Sequence, residues 1–233
     1  DAIANMTTAQ VANLSTAQMV AMSTAQVAAF TTAEIVALTS ADAAVLTTAQ
    51  VAALNSAQVA AIETLDMSAL STADIRALSA SALAGMTTAQ AHVLSSAQAA
   101  ALTSSQTNVF STDQVANLLT EAVAALSTAA VRALSAADIT AMGTAQIAVL
   151  STADIAAMTT AQIAALGTAQ VVALTSADTA VFSSAQAAVL TSAQLNVMET
   201  ADFATLSTGA IRALSTDAIA NMTTAQVANL STA

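Results

Sequence analysis

The sequence predicts an all-α solenoid of very short capped helices, one per eight-residue repeat, with about three repeats per turn. Three observations lead there. A single octad, spelled most plainly by Thr159 to Leu166 as T-T-A-Q-I-A-A-L, runs from Thr7 to Leu230 in 28 copies without an insertion or deletion. Nearly every copy opens with a helix-start signature. Most copies also carry two large apolar residues three positions apart, which share one face of a helical turn.

Let Thr159 stand at position 1 and Leu166 at position 8, so that octad 1 begins at Thr7 and octad 28 at Thr223. Position 1 is Ser or Thr in 22 of the 28 copies, the exceptions being Asn55, Glu63, Leu119, Gly143, Gly167 and Glu199. Position 4 is Gln, Asp or Glu in 23 of the 28. Ser or Thr followed three residues later by Gln or Glu is a capping box. The hydroxyl accepts from free N–H groups of the first turn, and the amide or acid accepts from the cap's own N–H. An Asp, as in Ser151-Thr152-Ala153-Asp154, reaches back less easily but suits the positive helix start. Asn55, Gly143 and Gly167 are acceptable caps as well. Each octad therefore announces a new helix.

Two other architectures fit less well. In one continuous helix, eight residues advance the chain about 80° past two full turns, so no apolar stripe settles on one face. Ser-Thr pairs every eighth residue also compete for its backbone bonds. A β-solenoid suits an even period and is the alternative, but Ala is depleted in strands. Strand corners usually want Gly, Asn or Asp, and the chain has four Gly and no Pro.

Within a short helix, positions 5 and 8 point inward. Position 8 is Leu, Met, Phe or Ile in all 28 copies. Positions 3 and 7, mostly Ala, are small enough to let neighbouring helices approach. Position 6 carries Arg76, His92, Asn108, Arg132, Asn196 and Arg212 and should face solvent. Phe30, Phe110 and Phe182 at position 8 and Phe203 at position 5 read as core fillers, as do the Met residues. Isolated helices this short are unstable. Stacking must bury positions 5 and 8, worth roughly 1.5–3 kcal/mol per large side chain, with caps adding about 1 kcal/mol each.

The whole chain, 1–233, reads as one uninterrupted array with no linker and no separate domain. Its two ends are identical. Residues 1–17 and 217–233 both spell DAIANMTTAQVANLSTA, an offset of 216 residues or 27 octads. The chain therefore holds one super-repeat plus the first 17 residues of the next, and starting in mid-octad at Asp1 it reads as a window on a longer tandem array. A middle level exists too. Arg occurs only at 76, 132 and 212, always at position 6, and the preceding octad always carries a Glu: Glu63, Glu121 and Glu199. The spacings of seven and ten octads suggest a triplicated 80-residue unit, one copy of which lost three octads. Such a loss is easiest if three octads make one turn, with two or four per turn as the alternatives.

Composition narrows function. A net charge of −11 with three Arg and no Lys lacks the basic footprint that nucleic-acid binding needs, and it disfavours anionic membrane surfaces. No run of about 18 apolar residues interrupts the polar pairs, so no transmembrane helix is expected. Absence of Cys removes thiol and disulfide chemistry. His92, the lone His, has no partner set for zinc or for a triad, and reads as a surface residue. The acids at position 4 (Glu34, Asp42, Asp66, Asp74, Asp138, Asp154, Asp178, Asp202) and at position 3 (Asp113, Glu121, Asp217) read as helix-start acids, with ions between layers as a lesser reading. No catalytic, cofactor-binding or metal residue is assigned, and no enzyme is expected. The pairs Glu63/Arg76, Glu121/Arg132 and Glu199/Arg212 are the candidate contacts, either between layers or between neighbouring filaments. Position 2 is Ser or Thr in 26 of the 28 octads, which in a solenoid stacks into a hydroxyl ladder.

The phrase S/T-T-A-Q-V-A-A-L resembles the Ala/Thr/Gln-rich tandem repeats of very large bacterial surface and secreted proteins of adhesin type. The resemblance spans the chain, is compositional, and carries over no functional residue. It implies an extracellular or cell-surface location and a stalk-like or fibrous role. The expected function is thus the structural repeat body of a long extracellular fibre or cell-surface stalk that assembles with itself into a filament. The alternative is an adhesin extender or an ice- or surface-binding module using the Thr ladder.

Overall fold

The structure is a computed structural model, and it describes residues 6–229. Among them lie 28 short helices and no strand, so the β-solenoid alternative is not adopted. Every helix begins at position 2 of its octad, as Thr48–Ala52, Thr72–Ala77 and Thr160–Ala165 show. The cap does what the sequence asks of it. At Thr159 the hydroxyl accepts from the Gln162 N–H at 3.2 Å, and the Gln162 Oε1 accepts from the Thr159 N–H at 2.8 Å.

The corner between helices needs no special residue. Leu166 at position 8 (φ −59°, ψ 127°) and Gly167 at position 1 (φ −70°, ψ 159°) are both extended. Two extended residues between αR stretches redirect the chain, and no described residue has a positive φ. The array can therefore turn a corner every octad without Pro and with little Gly.

The described residues fall into two compact units, Asp1–Ala130 and Val131–Ala233, and the octad phase passes from one into the other without change. In the first unit each helix packs on the helix three octads away, as Ser96–Ala101 does on Thr120–Ala125. The second unit repeats the rule, with Ser184–Ala187 on Thr208–Ala213. Three octads make a turn in each, as the sequence predicts.

Position 5 supplies the centre of the core. Val51, Val59 and Ile75 in the first unit and Ile139, Ile155 and Ile163 in the second are fully buried. Position 8 lines the same core, with Phe30, Phe110 and Phe182 among its buried residues, and Phe203 fills a position-5 slot completely. Position 6 is exposed in every described octad. Positions 3 and 7 differ from each other, against expectation: position 3 is exposed throughout, whereas position 7 is mostly half-buried. Position 7 lies closer to the neighbouring layer. Gly85 shows how closely, since a Cβ built there would lie 2.3 Å from the Ser56 carbonyl oxygen three octads earlier.

Candidate functional site

The residues that bind one layer to the next are the glutamines at position 4. Gln98 is representative. Its Oε1 accepts from the Ser95 N–H and hydroxyl at 2.9 and 3.1 Å, closing its own capping box. Its Nε2 reaches the other way and donates to the carbonyls of Met67 and Leu70, both at 2.9 Å. Those carbonyls are positions 5 and 8 of the octad four before, the end of a helix and the corner lying beneath. Gln162 in the second unit repeats this with Val131 at 3.0 Å and Leu134 at 2.8 Å. Gln50, Gln90, Gln106, Gln170, Gln186 and Gln194 do likewise. One buried amide thus uses its acceptor locally and its donors between layers. The amide adds a second donor to position-5 carbonyls such as that of Val131, which already accepts from the Leu134 N–H at 3.2 Å, and supplies a donor to the position-8 carbonyl at the corner.

Sequence reasoning assigns position 4 to the cap alone and misses this second duty. A signal for it exists. A capping box needs only an acceptor, and Glu serves as well as Gln. Yet position 4 holds 15 Gln and one Glu. That imbalance marks a use for the amide N–H groups.

Where position 4 is Asp the rung is absent. Asp42 and Asp154 accept from the backbone and hydroxyl of their own caps, Thr39 and Ser151. Asp66 and Asp202 behave differently because their caps are Glu63 and Glu199, which make no side-chain cap bond. Each turns to a position-2 serine three octads earlier. Asp66 Oδ1 accepts from Ser40 Oγ at 2.7 Å, and Asp202 Oδ1 accepts from Ser176 Oγ. The second oxygen of Asp66 is buried with no partner. Burial pushes the Asp66 carboxyl above its ordinary pKa of 3.8; Ser40 opposes the shift, and Glu63 and Asp42 add to it.

The residues singled out by the sequence are all on the surface. Glu63, Arg76, Glu121, Arg132, Glu199 and Arg212 are exposed. None of the six forms an ion pair among the described residues. Glu63 and Arg76, like Glu199 and Arg212, lie in consecutive octads, whereas helices pack on those three octads away. His92 is exposed, with Nδ1 3.1 Å from the Asn117 carbonyl oxygen. Among the described residues no three acidic or imidazole groups gather as a metal site would require, and no helix is long and apolar enough to cross a membrane. The position-2 hydroxyls are mostly exposed, Thr48 and Thr72 of stacked octads among them.

The geometry is that of a tandem repeat, and comparison with known families agrees. The ALTTAQ repeat model matches residues 3–32, 20–61, 35–72, 59–93, 116–152, 147–183 and 195–232, most of the chain. This chain belongs to the ALTTAQ-repeat family. No curated protein matches the chain. Most ALTTAQ matches span between four and five octads, the reach of one glutamine rung, which joins octad n to octad n − 4. The T-T-A-Q core of the phrase holds the cap at position 1 and the rung at position 4.

Proposed function

We propose that this ALTTAQ array is the structural repeat body of a long extracellular fibre or cell-surface stalk, and that copies associate laterally into a filament. The observation that carries the reading is the double use of position 4: its glutamines are committed to capping their own helices and pinning the next layer, octad after octad. A chain built this way is a scaffold and not a catalyst. The surface it offers is regular. Arg76, Arg132 and Arg212 recur at position 6 with exposed Glu63, Glu121 and Glu199 nearby in sequence. A neighbouring filament is where these charges find partners. Desolvated across a protein contact, they give more than the roughly 0–1 kcal/mol of a surface pair.

Negative-stain electron microscopy and helical reconstruction of the native full-length protein test this. Long uniform fibres with an axial repeat of 27 octads are expected, and Arg76→Ala, Arg132→Ala, Arg212→Ala together should loosen their lateral packing. Slender rods that never associate laterally would overturn the filament. The exposed position-2 hydroxyls support a second reading, an adhesin extender or an ice- or surface-binding ladder. In that case an ice-recrystallisation or surface-adsorption assay should respond to Thr48→Val and Thr72→Val, not to the Arg substitutions.

A further inference from the structure

Position 7 is mostly Ala or Val, but Asn stands there at 5, 13, 117, 221 and 229. The next two residues are position 8 and the cap of the following helix. Where that cap is Ser or Thr, the Asn completes N-x-S/T with x other than Pro, the acceptor pattern for N-linked sugar. Asn13-Leu14-Ser15 and Asn221-Met222-Thr223 fit the pattern. Asn229-Leu230-Ser231 and Asn5-Met6-Thr7 are their copies 216 residues away, each lying partly outside the described residues. Asn117 is followed by Leu118 and Leu119 and does not fit.

The structure gives these side chains one geometry. Each Nδ2 donates back to the position-3 carbonyl of its own octad: Asn13 to Ala9 at 2.7 Å, Asn117 to Asp113 at 2.8 Å, Asn221 to Asp217 at 2.9 Å and Asn229 to Ala225 at 2.7 Å. All four residues are exposed, although position 7 is mostly half-buried. Their exposure does not come from the ends of the sequence. Position 7 approaches the layer before it, as Gly85 does. That layer is present for Asn117, Asn221 and Asn229, whose helices pack on Thr88–His92, Ser192–Val197 and Thr200–Ala204. Asn13 is the same residue of the super-repeat as Asn229, and it is exposed with the layer after it in place, where its helix packs on Thr32–Val36.

We infer that Asn13 and Asn221, with their copies, are acceptors for N-linked sugar. This rests on the extracellular reading above and adds what that surface carries. The co-reactant is a sugar activated on phosphate or pyrophosphate. Nδ2 attacks its anomeric carbon; the N–C bond forms as the C–O bond to the phosphate breaks, the phosphate leaves with the electron pair, and one Nδ2 proton passes to the transferring enzyme. A side-chain amide carries two such protons, so one remains to donate to the position-3 carbonyl and the capped turn is kept. In the folded chain the hydroxyl of the pattern is already committed, since Ser15 Oγ and Thr223 Oγ1 accept from the N–H groups of Gln18 and Gln226 at 3.3 and 3.1 Å. The transfer therefore precedes capping of the following octad, on chain still being made or exported. The acceptors fall in consecutive octads and recur after 216 residues, which places one pair of sugars on each super-repeat.

Peptide mass spectrometry of the native full-length protein, with the cells and the medium analysed separately, tests this. Peptides holding Asn13 and Asn221 should carry the mass of one or more sugar residues, placed on the Asn side chain by fragmentation, while the peptide holding Asn117 stays bare. Ser15→Ala should remove the sugar from Asn13 and Ser15→Thr should keep it, with circular dichroism as the check on folding. Leu119→Ser completes the pattern at Asn117 and supplies a cap where Leu119 makes none, so the gain of sugar expected there involves no loss of fold. Bare Asn13 and Asn221 in protein found outside the cells or on their surface would overturn the inference and leave the stalk reading standing, as would sugar carried only on Ser or Thr hydroxyls. Protein found only inside the cells, with both asparagines bare, would overturn the extracellular reading as well. An Asn117 that stays bare in Leu119→Ser would also count against the inference, because geometry and pattern would then match those of Asn13.

Discussion

Two stretches of identical sequence, residues 7–13 and 223–229, fold into the same capped turn and differ in everything that depends on a neighbouring layer. Gln10 and Val11 are exposed and buried; Gln226 and Val227 are buried and exposed. Helix existence is therefore a local property of the octad, set by the cap within eight residues. Burial is a property of the layer, set by residues three and four octads away. The same substitution should have different costs in the two settings, and this makes the division measurable.

The largest difference is expected at position 4. Gln162→Glu keeps the acceptor for Thr159 but turns a carboxylate on the carbonyls of Val131 and Leu134. Losing buried donors and confronting two acceptors with a charge should cost about 3 kcal/mol or more. Gln10→Glu, with no described layer before it in this chain, should change stability by less than about 0.5 kcal/mol. Urea unfolding of both variants decides the point, and equal costs would mean that the amide does no more than cap.

Position 5 gives the next largest contrast. Val11→Ala removes fully buried methyl groups and should cost about 2 kcal/mol, from transfer plus the cavity left. Val227→Ala removes exposed ones and should be close to neutral in the monomer. The same unfolding experiment reads both, at a concentration low enough to keep copies apart.

What is legible in the sequence follows the same division. Capping boxes, the inward positions 5 and 8 and the outward position 6 are readable because each is fixed by chemistry within one octad; the three-octad turn is suggested only by the unequal spacing of the Arg octads, which leaves two or four per turn open until the packing is seen. The glutamine rung stays hidden, because it joins residues 28 and 31 apart and the cap already accounts for the acceptor oxygen. The roles of positions 3 and 7 merge in the sequence because Ala occupies both. Only the layer beneath, met at Gly85 and Ser56, tells them apart. Glu63/Arg76 and Glu199/Arg212 are candidate contacts by their recurrence in the sequence, and they lie in consecutive octads while helices pack three octads apart.

Gly85 sharpens the layer term further. Gly85→Ala should cost about 1–3 kcal/mol, since its Cβ would meet the Ser56 backbone and rigid backbone must shift. Gly143→Ala is the control: the nearest atom to a Cβ there is a side-chain oxygen of Gln146 at 3.9 Å. A Gly85→Ala protein as stable as Gly143→Ala would show that the layers have slack.

The local term should be smaller and nearly the same wherever it is tested. The Ser207 hydroxyl caps the Ala210 N–H at 3.1 Å, and Ser207→Ala should cost about 1 kcal/mol. Glu199, one octad earlier, has the extended backbone of a cap but no cap bond. Glu199→Ser should gain about 1 kcal/mol by supplying one. Thermal unfolding of the pair would contradict the division between cap and layer if the gain and the loss differed severalfold.

The smallest effect concerns Asp66, where cap and layer fail together. Glu63 offers no cap, Ser40 satisfies one carboxylate oxygen, and the other is buried without a partner. The Asp66 pKa is raised in the folded state, mainly by burial, so the folded chain holds this proton more tightly than the unfolded chain does. Its contribution to stability is then fullest below the ordinary carboxylate pKa and is lost as pH rises through the raised value. The normally held carboxylates run the opposite way. Asp66→Asn removes the titration, so its stability relative to the unaltered chain should improve as pH climbs through that window and level off above it. Unfolding of both proteins at a series of pH values gives the difference directly. A difference that shrinks with rising pH would mean that Asp66 is better satisfied as a carboxylate than its buried oxygen implies, and that the layer supplies it a donor in solution.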